Sequence, residues 1–157
     1  MTEIFADRYA ARVDEPVILF LIGMRFNKLL AVRQWLPVVM AMPRMLSELS
    51  NKPEAGLLFH RSYLSGRIVL VQQYWQSFDK LLAYAHDRSG EHFPAWAAFN
   101  RAVGTDGSVG IWHETYRIEP GKSECVYVNM PRFGLAAAAQ HVKAEGRLAS
   151  AKDRMSS

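Results

Sequence analysis

The sequence is poor in the features that would settle its chemistry at a glance. Its one cysteine, Cys125, cannot close an internal bridge; set beside Val126 and Val128, it reads as a small buried hydrophobe in a chain living in a reducing, cytoplasmic compartment. No apolar run approaches the length of a membrane span. The longest, Val17 to Gly23, follows Asp14, Glu15 and Pro16 instead of a basic leader, and predicts a core strand and no signal peptide or membrane contact. Charge of one sign is never concentrated: the net charge of +4 is spread along the chain, and no motif supports nucleic-acid binding. There is no glycine-rich phosphate loop, no internal repeat, and no histidine and carboxylate set at metal-ligand spacing.

What remains is the composition of one ordinary globular domain, 157 residues with 50% hydrophobic and 11% aromatic side chains. Residues 1–15 are polar and mixed, with Phe5, Tyr9 and Val13 at helix-like spacing, and predict an arm packing on the body. Val17 to Asn27 predicts a strand with apolar residues on both faces, Ile18, Phe20, Ile22, Met24 and Phe26 on one, Val17, Leu19 and Leu21 on the other. Lys28 to Ser50 turns to helical periodicity, interrupted by Pro37 and Pro43, so a kinked helix or two short segments are expected. Leu57–Leu64 and Arg67–Trp75 predict a hairpin turning at Ser65-Gly66. Ser77 predicts the N-cap of a helix reaching about His86, and His92 opens a second helical piece. Strands follow over Val109–Tyr116 and Glu124–Met130, then a short helix from Ala136 and a loose tail from Gln140.

That order is βαββαβ with an added strand, an α+β ferredoxin-like split βαβ domain over 16–135, with an arm at 1–15 and a C-terminal helix and tail over 136–157. A sheet apolar on both sides needs two covers. Helices supply one; the other is expected from the sheet of a second copy, giving a homodimer.

Val109-Gly-Ile-Trp-His-Glu-Thr-Tyr116 places an ionisable pair inside what reads as a buried strand, alternation sending His113 and Glu114 to opposite faces. His113 is therefore the first candidate for a site histidine, against the plainer reading of a core imidazole bonded to a carbonyl. Arg25 closes the second face of the first strand, as a rim residue or an anion clamp. Asn129 lies between apolar neighbours, a structural amide or a ligand contact. His92 begins a helix, either solvated or facing a cavity, and the tryptophans, like the methionines of the first helix, serve a core at least as readily as a pocket.

Gln73-Tyr-Trp-Gln-Ser-Phe-Asp-Lys-Leu-Leu-Ala-Tyr-Ala-His, followed by His92-Phe-Pro-Ala-Trp96, resembles the helix region of the dimeric α/β-barrel superfamily that holds the antibiotic-biosynthesis monooxygenases. Phe26-Asn27, Trp35-Leu-Pro37, Ala41-Met-Pro-Arg-Met-Leu46, Ala95-Trp-Ala-Ala-Phe-Asn-Arg101, Val109 to Tyr116, Asn129-Met-Pro131 and Phe133-Gly-Leu135 resemble one monooxygenase-like family within it, which includes a fungal polyketide-tailoring oxygenase of the fumagillin pathway. The resemblance implies a dimeric α/β barrel and a monooxygenase of secondary metabolism acting on a small aromatic or polyketide-like substrate, with dioxygen and no bound flavin or metal. On that view His113 or His92 is the base, Arg25 or Asn129 the anion partner, and Tyr74, Trp75, Trp96 and Trp112 line the substrate. Two alternatives stay open. Haem-degrading and aldoxime-dehydratase relatives on the same barrel imply a haem protein with His92, His86 or His113 as axial ligand; a non-catalytic small-molecule-binding dimer keeps the pocket without needing a base.

Overall fold

Short turns and alternating apolar residues build a four-stranded sheet, and two amphipathic helices close one of its faces. The computed structural model describes residues 2–87, 97 and 106–156. Its elements are β1 (Phe5–Arg12), β2 (Val17–Phe26), α1 (Val32–Ser50), β3 (Leu57–Ser65), β4 (Ile68–Trp75), α2 (Phe78–His86), β5 (Val109–Ile118), β6 (Tyr127–Met130), α3 (Leu135–Ala138), β7 (Gln140–Lys143) and α4 (Ala151–Arg154). The main sheet runs β3-β4-β2-β5, every neighbouring pair antiparallel. With α1 and α2 this is the expected ferredoxin-like arrangement, β4 inserted between the two strands that α1 connects.

Register fixes which side chains share the helix-covered face, because residues directly opposite on antiparallel strands point the same way. Ile18, Leu49, Trp75 and Leu81 form one apolar cluster, joined by Phe20, Leu57 and Tyr84. Met24 and Val109 form another, with Phe26, Trp35, Val38 and Val39. α1 therefore serves both clusters and α2 only the first. The two prolines do not divide α1: Pro37 and Pro43 both lie inside one 19-residue helix. Each removes a single intrahelical donor, and the packed Trp35, Val38, Val39 and Leu49 face holds the run together. Ser77 caps α2 as expected, its hydroxyl accepting from the Lys80 N–H at 3.2 Å. The hairpin turn sits one residue later than the sequence suggested: Ser65 pairs with Ile68, and the turn is Gly66-Arg67 with Gly66 at φ 54.

The largest departure concerns the two ends of the chain. The arm spaced like a helix is instead the central strand of a second sheet, ordered β6-β1-β7. A bulge explains the misleading spacing: Asp7 adopts φ 77 where the register shifts between Phe5 and Arg8. The segment expected to be a loose tail supplies β7, whose residues Gln140–Lys143 pair with Tyr9–Arg12. Beyond it Arg154, 6% exposed, donates to the Glu124 carboxylate and to the carbonyls of Leu148 and Ala149.

This small sheet and α3 lie on the far face of the main sheet, where Val13, Val17, Tyr74 and Leu135 form a core with Leu19, Phe59, Ile118 and Cys125 around it. Part of the cover expected from a second copy is thus supplied by the chain itself. Cys125 packs there as a partly buried group outside any strand, its sulfur accepting from the Ala11 N–H at 3.2 Å.

Candidate functional site

Strand pairing turns a list of polar residues into rows across the helix-side face. One row reads His60, Gln73, Phe20, Thr115 from β3 to β5; the next reads Ser62, Val71, Ile22, His113. The His113 ring tilts at 42° to that of Phe20, centroids 5.7 Å apart. β5 is an edge strand bonded only to β2, so the stretch that read as buried is exposed from His113 to Arg117, while Ile111 retains 39% of its surface. His113 consequently stands at an aromatic and aliphatic patch, not inside the core.

Gln73 and Trp75 define the deeper side of the same face. Gln73 is 5% exposed and Trp75 1%. The Trp75 indole N–H donates to Gln73 Oε1 at 2.8 Å. Because an indole nitrogen can only donate, this bond fixes which end of the carboxamide is oxygen. His60, opposite Gln73, is partly buried, and that burial lowers its pKa below the ordinary 6.5, keeping the ring neutral at physiological pH.

The far face holds a different set. Arg25 is exposed and donates to Asn27 Oδ1, whose amide nitrogen in turn donates to the Gly107 carbonyl at 3.0 Å. Trp112 lies over Gly23: a Cβ there would come within 2.4 Å of the indole, so only glycine admits the ring. Tyr116 donates to Glu114 at 2.5 Å. Tyr63 donates to Gln72 Oε1 at 2.9 Å and the Gln72 amide nitrogen donates to the Tyr74 hydroxyl at 3.2 Å. Burial, then the nearby Cys125, raises the Tyr74 pKa, with the Gln72 bond opposing. Tyr127, also next to Cys125, is raised further, chiefly by desolvation.

The residues singled out from the sequence therefore divide. His113 and Trp75 share the helix side; Arg25, Tyr74 and Trp112 belong to the other. Arg25 is not opposite His113 in any sense that lets it meet the same substrate atom, since an intact sheet separates them. Asn129 is exposed on β6 at φ 51, in the second sheet. His86 is exposed in the last turn of α2. His92 and Trp96 lie outside the described residues. Gln73 and His60 were not singled out. A hairpin turning at Ser65-Gly66 pairs His60 with Val71; the observed turn pairs it with Gln73, so one residue of turn placement hid the polar pair.

Among the described residues no group of three or more His, Cys, Asp or Glu is placed to hold a metal ion, and no helix is long and apolar enough to cross a membrane. A cleft of about 340 Å³ between the Lys52–Ala55 turn and α2 is lined by Lys52, Glu54, Lys80, Tyr84 and Asp87. Its lysines are engaged with Glu48 and the Glu54 carbonyl, and it lies away from the two histidine rows.

The chain is similar to several known proteins. Aldoxime dehydratase in complex with butyraldoxime is similar in fold with a TM-score of 0.71 at 15% identity, over 88% of this chain and 43% of that one. The cofactor-independent oxygenase SnoaB from Streptomyces nogalater gives 0.47 at 10% identity, over 64% and 90%. In sequence, monooxygenase af470 of Aspergillus fumigatus is 28% identical over 123 residues, which are 72% of this chain and 42% of that protein. The chain thus spans less than half the length of the curated relative it matches. Residues 17–135 match the family described as Monooxygenase af470-like, the whole main sheet and both of its helices included, and the chain belongs to that family.

Proposed function

We propose that the protein is an oxygen-dependent modifying enzyme for a small aromatic or polyketide-like molecule, working without a bound flavin or metal, with His113 as its base. Family membership supports the general kind of reaction. The observation that carries the site is the placement of His113 against Phe20, beside Ile22 and Ile111, on the face that α1 and α2 share.

The chemistry suits that surface. An imidazole beside a ring platform removes a proton from an electron-rich phenol or enol, and the resulting anion gives electrons to dioxygen. A methylene plus dioxygen then yields a carbonyl plus water, the substrate supplying every electron. A homodimer, in which a second copy faces the remaining far-side surface around Trp112 and the 49%-exposed Tyr116, belongs to the same proposal.

The haem alternative stays open, since His92, one of its candidate axial ligands, lies outside the described residues. A proximal histidine is held in orientation by a hydrogen bond from its second nitrogen. Among the described residues neither His86, exposed at a helix end, nor His113 makes one. The deciding experiment is oxygen uptake with electron-rich phenols and enolisable ketones, comparing the parent with His113→Ala and His92→Ala. His113→Ala is expected to lower turnover about 10²–10⁴-fold with substrate binding retained. An unchanged rate removes His113 from the mechanism. Ligand binding without uptake in the parent favours the non-catalytic reading, and a strong absorbance band at the blue edge of the visible in freshly purified protein favours haem.

A further inference from the structure

A deprotonated phenol or enol carries its charge on oxygen, and something must hold that oxygen. The expected anion partners do not meet His113: Arg25 is across the sheet and Asn129 is in the other sheet. The helix-side face offers a different pair. Gln73 is buried, and its oxygen is occupied by the Trp75 indole N–H. Its amide nitrogen makes no hydrogen bond among the described residues, so both of its N–H groups are left to donate. That nitrogen is not among the buried polar atoms left without a partner, so it keeps some surface of its own for an incoming oxygen to meet. His60 stands directly across the strand pair from Gln73 on the same face, and likewise makes no hydrogen bond among the described residues.

We propose that Gln73 and His60 form the receptor for the substrate oxygen that gains negative charge, with Trp75 as the residue that positions the Gln73 amide. The inference rests on the oxygenase reading above and names the second half of its site. Phe20 lies between the two halves: Gln73 is its neighbour on β4, and Thr115, next but one to His113, its neighbour on β5. Adjacent strands are about 4.8 Å apart, so roughly 10 Å separate Gln73 from the base strand and roughly 14 Å separate His60 from it. A planar ring system resting on Phe20 then presents an oxygen at one edge to Gln73 and His60 and an acidic hydrogen at the other to His113. Removal of the proton sends the electron pair through the conjugated ring to that oxygen. The receptor carries no net charge: a neutral imidazole and a carboxamide donate to the anion without binding one permanently. The substrates selected are therefore planar conjugated ketones whose acidic C–H lies at the edge opposite the carbonyl, in preference to carboxylates or phosphates.

The test compares 2-naphthol with naphthalene by equilibrium dialysis, which separates recognition of oxygen from ring stacking. The parent is expected to hold 2-naphthol about tenfold more tightly than naphthalene, the worth of one good hydrogen bond. Gln73→Leu and His60→Phe should reduce that ratio toward one while naphthalene affinity stays put. Trp75→Phe keeps the ring but drops the indole N–H, freeing the amide to turn; it should lower the ratio partially. Circular dichroism confirms that each variant is folded, and an unchanged naphthalene affinity shows that the surface survives. Equal affinity of the parent for both probes, no binding of either included, overturns the receptor, as does a preference for 2-naphthol that survives all three substitutions. His113→Ala distinguishes the two readings: it should keep the ratio and lose oxygen uptake. Uptake that persists in that variant removes His113 as the base while the ratio still judges the receptor.

Discussion

Replacing Arg154 by leucine is the sharpest test of how the C-terminal segment is held. The guanidinium is 5% exposed in its side chain and donates through Nε at 2.8 Å and through Nη2 to Glu124 Oε1, and through Nη1 to the carbonyls of Leu148 and Ala149 at 2.8 and 2.9 Å. Breaking a buried charged pair by removing one member costs roughly 3–5 kcal/mol when the survivor stays buried. Glu124 retains 32% of its side-chain surface and regains water when its partner goes, so the lower figure of about 2–3 kcal/mol for lost charge-assisted bonds applies. For a chain of this length each kcal/mol moves Tm by about 2–4 °C, and the variant should melt about 5–10 °C below the parent. Thermal and urea unfolding followed by circular dichroism measure this. Glu124→Gln and the double variant complete a cycle whose coupling energy should reach about 1 kcal/mol or more. A Tm within 1 °C of the parent, or a cycle without coupling, would refute the claim that this pair anchors the tail.

Two further outcomes follow from single contacts. His141 stacks on Tyr9 with centroids 4.3 Å apart and meets Phe5 edge-on at 4.7 Å; its Nε2 is buried without a partner, and burial first, then Arg132, lowers its pKa from 6.5. A histidine whose folded pKa lies below its unfolded one binds fewer protons when folded, so stability is present above pH 6.5 and lost as pH falls through that value toward the folded pKa. The urea midpoint should drop between pH 7.5 and 5, and His141→Phe should drop less; equal slopes would exclude His141 as the source. Gly23→Ala places a Cβ within 2.4–2.6 Å of the Trp112 indole. It should displace the ring at a cost of about 1–3 kcal/mol, seen as a changed near-ultraviolet circular dichroism spectrum, which would stay as in the parent if Trp112 did not rest on Gly23.

Local patterns already carried much of the architecture. Alternation in Val17–Phe26 set the two faces of β2, Ser77 marked the start of α2, and the order of elements implied the split βαβ fold, because these are decided by backbone periodicity and short-range hydrogen bonds. Other features answer to contacts distant in sequence. The bulge at Asp7 hid a strand behind helix-like spacing, and β7 exists only because β1 is there to pair with it. His113 read as buried because its neighbours are apolar; its exposure follows from β5 lying at the edge, a property of strand order. Likewise Arg25 was grouped with His113 by chemistry, and the pairing of β2 with β5 puts it on the opposite side of the sheet, whereas Trp112, adjacent to His113 on one strand, was already sent to the other face by alternation. The amino-acid order alone thus determined the strands and helices of the main sheet and which side of each of those strands is apolar. Only the assembled sheet decided which polar side chains share a surface, since a shift of one residue in a turn moves every cross-strand partner, and no local pattern records it.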